Sequence, residues 1–172
     1  MNTYPILLIS GAPSTGKTTF GNWLQETKSF IHVDIEKTQC IPTPGLLNGW
    51  SQAQGVVLTW GFFPGDAELG IIALLKSRGV SVWWFTAESD IAREDFVRRG
   101  SDVKLFDFQM PAIEREWEKI EKLFSPNTIP TLSREGHMTC ELIYRTKMTN
   151  LGRADNLESK PTSKTTEAEL SD

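Results

Sequence analysis

Short apolar runs alternate along this chain with stretches of helical periodicity. Residues 5–10 (PILLIS), 31–34 (IHVD), 55–60 (GVVLTW), 80–85 (VSVWWF) and 128–132 (TIPTL) are brief and β-rich, the pattern of strands buried in a sheet. Between them, residues 16–27, 66–78, 89–99, 107–124 and 138–148 read as helices. Leu69, Ile72 and Leu75 share one face of the helix that opens at Asp66, and Gly79 closes it as a left-handed cap. Strands that alternate with helices predict βαβ units, and right-handed crossovers then give a three-layer α/β/α domain around a five-stranded parallel sheet. The connection over 35–54 is long, with Pro42, Pro44, Gly45 and Gly49, and long loops in compact domains are usually functional. From residue 150 the composition turns to Ser, Thr, Glu, Lys and Asp without periodicity. The expected organisation is a domain over 1–149 and a disordered polar tail over 150–172, a solvated segment or a contact for a protein partner.

Composition narrows the class without naming a chemistry. The 172 residues are 39% hydrophobic and include six Trp, two Tyr and nine Phe, enough for a substantial core. A net charge of −4 argues against a long nucleic acid as partner. Cys40 and Cys140 lie far apart with no zinc-binding neighbourhood, so they read as reduced thiols. No leader and no apolar run of about 20 residues is visible, and the expectation is a cytoplasmic protein without membrane contact.

The candidate chemistry begins directly after the first strand. Gly11-Ala12-Pro13-Ser14-Thr15-Gly16-Lys17-Thr18 spells GAPSTGKT, a P-loop between strand and helix. Glycines at both ends let backbone N–H groups turn inward around an anion, and the helix N-terminus adds positive dipole. Lys17 supplies a point charge for β- and γ-phosphates, Thr18 a hydroxyl for Mg²⁺, and Thr19 extends the phosphate-facing turn. The fold class is thus a P-loop NTPase fold, with a nucleoside triphosphate and Mg²⁺ as the expected ligands.

The second strand ends in Asp34, and ligands of parallel α/β sheets bind beyond the carboxyl ends of the strands. Asp34 therefore faces the P-loop either as a base for an attacking hydroxyl or as a holder of Mg²⁺-bound water. Capping Glu36-Lys37-Thr38 is the competing account. Glu36 is a helper or substitute, because the chain is expected to have turned away. The third strand ends in Trp60, where many P-loop proteins carry a metal-linked aspartate. Trp50, Trp60 and Phe62 are candidates for a pocket wall or for core. Arg93, Arg98 and Arg99 follow the fourth strand and suit phosphate through the planar guanidinium, with surface ion pairs to Glu94 and Asp95 as the alternative. Residues 100–104 form a short polar connection and a candidate lid. Arg134 follows the last strand, within topological reach of a nucleotide base. His137 is expected to open the last helix, and His32 to pack within its strand.

Taken together, GAPSTGKT, Asp34 and the arginine-bearing helix resemble the P-loop kinase group of adenylate, shikimate and gluconate kinases. They are also similar to chloramphenicol phosphotransferase and the 5′-kinase domain of polynucleotide kinase. The resemblance spans residues 5–148. It implies an ATP- and Mg²⁺-dependent kinase in which Asp34 is the base and Arg93, Arg98 and Arg99 are lid arginines that hold phosphates. The string Trp60-Gly61-Phe62-Phe63-Pro64 matches the Asp-Gly-Phe-Pro-Arg turn of nucleotide kinases only loosely, and the lid is too short for a long adenylate kinase. Neither NKxD nor DxxG occurs, which disfavours a regulatory GTPase. The expected activity is transfer of the γ-phosphate of ATP to a small-molecule acceptor. A polynucleotide 5′-kinase or toxin-type nucleotide-sugar kinase is the alternative, although Lys37 is the only basic residue in 36–54. An ATP-binding module or weak ATPase acting through a protein partner is the other.

Overall fold

All of β1 (Ile6–Gly11) and all of β3 (Val56–Thr59) are buried, as strands covered on both faces must be. The computed structural model of the protein describes residues 3–157, with side chains as far as 148. The remaining strands are β2 (Ile31–Asp34), β4 (Ser81–Ala87), β5 (Thr128–Ser133) and β6 (Gly136–His137), and the sheet order is β2-β3-β1-β4-β5-β6. The first five strands pair in parallel, whereas β6 runs antiparallel to β5 through Leu132↔His137 and Ser133↔Gly136. The sheet is therefore six-stranded and mixed, not five-stranded and parallel. Gly136, at φ 108°, lets the chain fold straight back after β5, so His137 lies on the edge strand and does not open the last helix.

The two faces of the sheet are filled by alternate strand residues. On one face, α1 (Lys17–Lys28) sets Phe20 against Trp83 and Phe85. On the other, Leu8, Leu58, Val82 and Trp84 form one core with Ile72 and Leu75 of α4 (Asp66–Ser77) and Ile120 and Phe124 of α7 (Trp117–Phe124). Lys119 of α7 also donates to Asp66 at 2.9 Å. α5 (Ser89–Arg98) and α6 (Val103–Arg115) pack together through Ala92 and Phe106 over Leu132 of β5.

Three connections differ from expectation. The stretch 35–54 is not a bare loop, because it contains α2 (Ile35–Thr38) and α3 (Pro44–Ser51). Thr43 caps α3 by accepting from the Leu46 N–H at 3.3 Å, with Pro44 in the first turn, where it loses no hydrogen bond. The helix expected over 107–124 begins earlier and is divided. Asp102 accepts from the Lys104 N–H at 3.0 Å and starts α6 at Val103, while Glu116, at φ −96° and ψ 7°, separates α6 from α7. The candidate lid thus shrinks from 100–104 to the few residues before that cap.

The chain divides after Met138 into two compact units. The first holds the whole sheet and α1 to α7. The second contains α8 (Cys140–Leu157), whose first turns are tied by Leu142 N–H to Thr139 Oγ1 at 3.3 Å and by Arg145 to Glu141 at 2.8 Å. This helix continues past Met148, and the rest of the expected tail, from 158, lies outside the described residues. Among the described residues no helix is long and apolar enough to cross a membrane.

Candidate active site

Strand register assembles the site at one end of the sheet. Ile9 pairs with Thr59, Thr59 with Asp34, and Gly11 with Phe85, so the ends of β1 to β4 reach the same edge. There the P-loop leaves β1 at Gly11. A Cβ on Gly11 would overlap the Phe85 carbonyl oxygen, and its φ of 150° is one that side chains disfavour. This close approach lets the Ala12 N–H donate to that carbonyl at 3.1 Å. Gly16, at φ 82°, precedes α1 without a side-chain cap, which leaves first-turn N–H groups of the helix for an anion. Buried hydrogen bonds fix the loop from below: Thr15 Oγ1 donates to the Ala12 carbonyl and Thr131 Oγ1 of β5 to the Thr15 carbonyl, each at 2.7 Å. The motif alone could not name Thr131, which contacts the loop from across the fold.

Lys17 folds back over this loop and donates to the carbonyls of Gly11 at 3.1 Å and Ala12 at 2.8 Å. Burial lowers its pKa to about 8, with Arg99 acting in the same sense and Glu36 and Asp34 against it. The loop therefore holds an ammonium whose charge burial disfavours, and a polyphosphate beside it would favour that charge.

Asp34 performs two tasks at once. Its Oδ1 accepts from the Lys37 N–H at 3.2 Å and caps α2, while its Oδ2 lies 3.5 Å from the Thr18 hydroxyl. Thr18 and Asp34 make an all-oxygen pair that suits Mg²⁺, which usually completes its shell with water and phosphate oxygens. Among the described residues, no three His, Cys, Asp or Glu side chains gather into a metal-binding group. Below them, His32 lies between Asn22 and Thr59, at 2.9 Å from each, and burial lowers its pKa.

Glu36 is the larger surprise. The single turn of α2 returns it to the cleft, where its Oε1 would lie 2.7 Å from a Cβ on Gly61 and the Lys17 side chain 3.4 Å from the same point. Burial raises the Glu36 pKa, Lys17 opposes that shift, and Asp34 adds to it. The cleft encloses about 360 Å³ and is lined by the loop from Pro13 to Thr19, by Glu36 and Gly61, and by Phe63, Phe96, Arg99, Leu105 and Gln109. Gln109 also donates to the Phe62 carbonyl at 2.9 Å and so fixes the turn after β3. Phe62 is buried in the core with Trp50 and Trp60 packed against it, and the aromatic side chain of that turn that lines the cleft is Phe63.

The three arginines separate. Arg99 Nη2 donates to Ser14 Oγ at 2.8 Å and lines the cleft. Arg98 is exposed and bonded to Asp95. Arg93 forms a fork with Asp107 at 2.9 and 3.2 Å, on the exposed side of α5 and α6. Asp95 is the buried anchor between them, 3.4 Å from Arg99 Nε and 3.6 Å from His137 Nε2. Burial opposes its charge, but Arg98, His137 and Arg99 together hold its pKa below the ordinary value. His137 also lies beside the loop, 3.7 Å from where a Cβ on Gly16 would be. Arg134, in the turn between β5 and β6, does not line the cleft.

No protein-family model matches the chain, and neither does any curated protein. Solved structures do match. A gluconokinase from Sinorhizobium meliloti is 11% identical with a TM-score of 0.55, over 93% of this chain and 100% of that one. A shikimate kinase from Bacteroides thetaiotaomicron is 14% identical with a TM-score of 0.56, over 86% and 98%. The tunicamycin resistance protein of Deinococcus radiodurans is 18% identical with a TM-score of 0.54, over 86% and 95%. At these identities the likeness speaks for architecture: the chain has the fold of the P-loop kinase group.

Proposed function

We propose that the protein is an ATP-dependent phosphotransferase that moves the γ-phosphate of ATP to a hydroxyl of a small molecule. One observation carries the reading: a desolvated lysine, an uncapped helix N-terminus and a carboxylate of raised pKa line the same cleft. The small-molecule kinases among the structural neighbours support the same class.

In this reading the P-loop N–H groups and Lys17 bind the phosphates of ATP, and Lys17 leaves the Gly11 and Ala12 carbonyls to do so. Thr18 and Asp34 would hold Mg²⁺, which when bound draws charge from the β- and γ-phosphates. Arg99, positioned by Ser14 and Asp95, neutralises charge that builds on the γ-phosphate oxygens. Glu36 accepts the proton of the acceptor hydroxyl. The acceptor oxygen forms its bond to the γ-phosphorus as the bond to the bridging oxygen breaks, and ADP leaves with that electron pair. Both Asp34 oxygens are engaged, one by the Lys37 N–H and one beside Thr18, which supports the metal-holding role for Asp34 and the base role for Glu36. Arg93, paired with Asp107, and Arg98, exposed on Asp95, are not needed for this arrangement.

The test is product formation from radiolabelled ATP with pooled hydroxyl compounds. Glu36→Gln should lower kcat by about 100-fold or more while ATP binding persists, as expected for loss of a general base. Asp34→Asn should instead raise the Mg²⁺ concentration needed for half-maximal rate. Full turnover in Glu36→Gln would overturn the base assignment, and tight ATP binding without transfer to any acceptor would favour an ATP-binding module.

A further inference from the structure

The wall of the cleft opposite the P-loop carries information about the acceptor. Beyond the loop, the lining consists of Glu36, Gly61, Phe63, Phe96, Leu105 and Gln109, with Arg99. Among the described lining residues the cations are Lys17 and Arg99, and both already serve the loop: Lys17 on the Gly11 and Ala12 carbonyls, Arg99 on Ser14 and Asp95. What remains for an acceptor is one carboxylate, one amide and apolar surface. That surface faces solvent at Phe63, 45% exposed, and Leu105, 56% exposed, and outside the lining the ring of Phe108 lies 5.3 Å from that of Phe63. Apolar side chains collected at a cleft mouth are the usual mark of a ligand surface.

Building on the phosphotransferase reading, we propose that the acceptor is an alcohol with an apolar, flat body and no anionic group. A carboxylate or phosphate on the acceptor would meet Glu36 without a free cation to offset it, after the γ-phosphate has already claimed Lys17 and Arg99. An aromatic or otherwise flat body instead covers Phe63 and Leu105, and Gln109, whose Nε2 donates to the Phe62 carbonyl, turns its amide oxygen to a neutral hydrogen-bond donor of the acceptor. The hydroxyl is directed to Glu36, which takes its proton, and the products are a phosphate monoester and ADP.

A matched pair of probes isolates charge from shape. Phenylethylene glycol and mandelate share a phenyl ring and a hydroxyl and differ by a hydroxymethyl group in place of a carboxylate. Binding of each to the full chain with a non-hydrolysable ATP analogue and Mg²⁺ is read by saturation-transfer NMR, and phosphorylation with ATP by product analysis. The glycol should bind about tenfold or more tightly than mandelate, and Phe63→Ser should weaken the glycol about tenfold with ATP affinity unchanged. Mandelate binding as well as the glycol, glycol binding indifferent to Phe63→Ser, or no glycol binding at all would each overturn the proposal. Phosphorylation of gluconate or UMP in preference to neutral alcohols would overturn it while upholding the phosphotransferase, whereas failure to bind ATP would remove the reading beneath it.

Discussion

Lys17 carries charge into a position where the ligand-free protein has little to offset it, and this has a cost in stability. Its pKa of about 8 lies below the 10.5 of the free side chain, so between those values the unfolded chain binds more protons and stability rises with pH. The penalty is complete below about pH 8 and is relieved as pH climbs through that window. Lys17→Met removes the charge and keeps the bulk. It should stabilise the ligand-free protein by about 1–3 kcal/mol at pH 7, lose that gain as the pH approaches 10.5, and abolish ATP binding. Urea denaturation at both ends of the window measures the first two effects and calorimetric titration with ATP the third. A destabilised Lys17→Met at pH 7 would show that the ammonium is satisfied by the Gly11 and Ala12 carbonyls after all. Glu36 shows the opposite case at the same scale. The sequence offers it only as a helper or substitute for Asp34, because its place in the cleft depends on the tight turn of α2 and on the absence of a side chain on Gly61.

At the scale of elements, the parts legible in the sequence are those whose chemistry is local. β1, the P-loop and α1 follow from an apolar run, two glycines at angles that side chains disfavour and a helical face, all within one continuous stretch. α6 was not legible at its start, since its beginning depends on Asp102 turning its carboxylate to the Lys104 N–H, and β6 depends on Gly136 reversing the chain. The arginines illustrate the same limit. Helical spacing alone could not say that Arg93 would face Asp107 on α6 while Arg99 crosses to Ser14. Asp95 makes the difference, as a buried carboxylate on α5 that gathers Arg98, Arg99 and His137. Asp95→Asn keeps the shape and removes the charge. Because the arginines it holds are half exposed or more, water can take over much of the lost interaction, and the stability loss should stay near 1 kcal/mol. The larger effect should be on ATP, with KM raised about 3- to 10-fold as Arg99 loses its support. The cycle with Arg99→Ala is decisive. If Asp95 acts through Arg99 the double variant should resemble Arg99→Ala alone, whereas fully additive losses would separate the two residues.

For the whole molecule, folding brings a basic and an acidic group of converging pKa into one cleft. Glu36 comes from the β2 edge of the sheet and Lys17 from its centre, and each is shifted chiefly by burial in the cleft that the other lines. Burial disfavours both charges, so it raises the carboxyl and lowers the ammonium. In the proposed phosphotransfer, turnover would require Glu36 without its proton and Lys17 with it. The acid limb of kcat/KM for ATP should therefore lie above the ordinary carboxylate range, and the alkaline limb near pH 8, where Lys17 of the folded enzyme without ATP titrates. The two limbs should respond differently to saturation with ATP. Phosphates beside Lys17 favour its charged form, so the alkaline limb of kcat should move upward by about one unit or more, while the acid limb persists because Glu36 still has to release its proton. Glu36→Gln should remove the acid limb from whatever rate remains. Rate profiles between pH 5 and 10, taken at limiting and saturating ATP, test both assignments. An alkaline limb that stayed in place at saturation would mean that Lys17 is not the group that meets the phosphates, and an acid limb surviving in Glu36→Gln would transfer the base role back to Asp34.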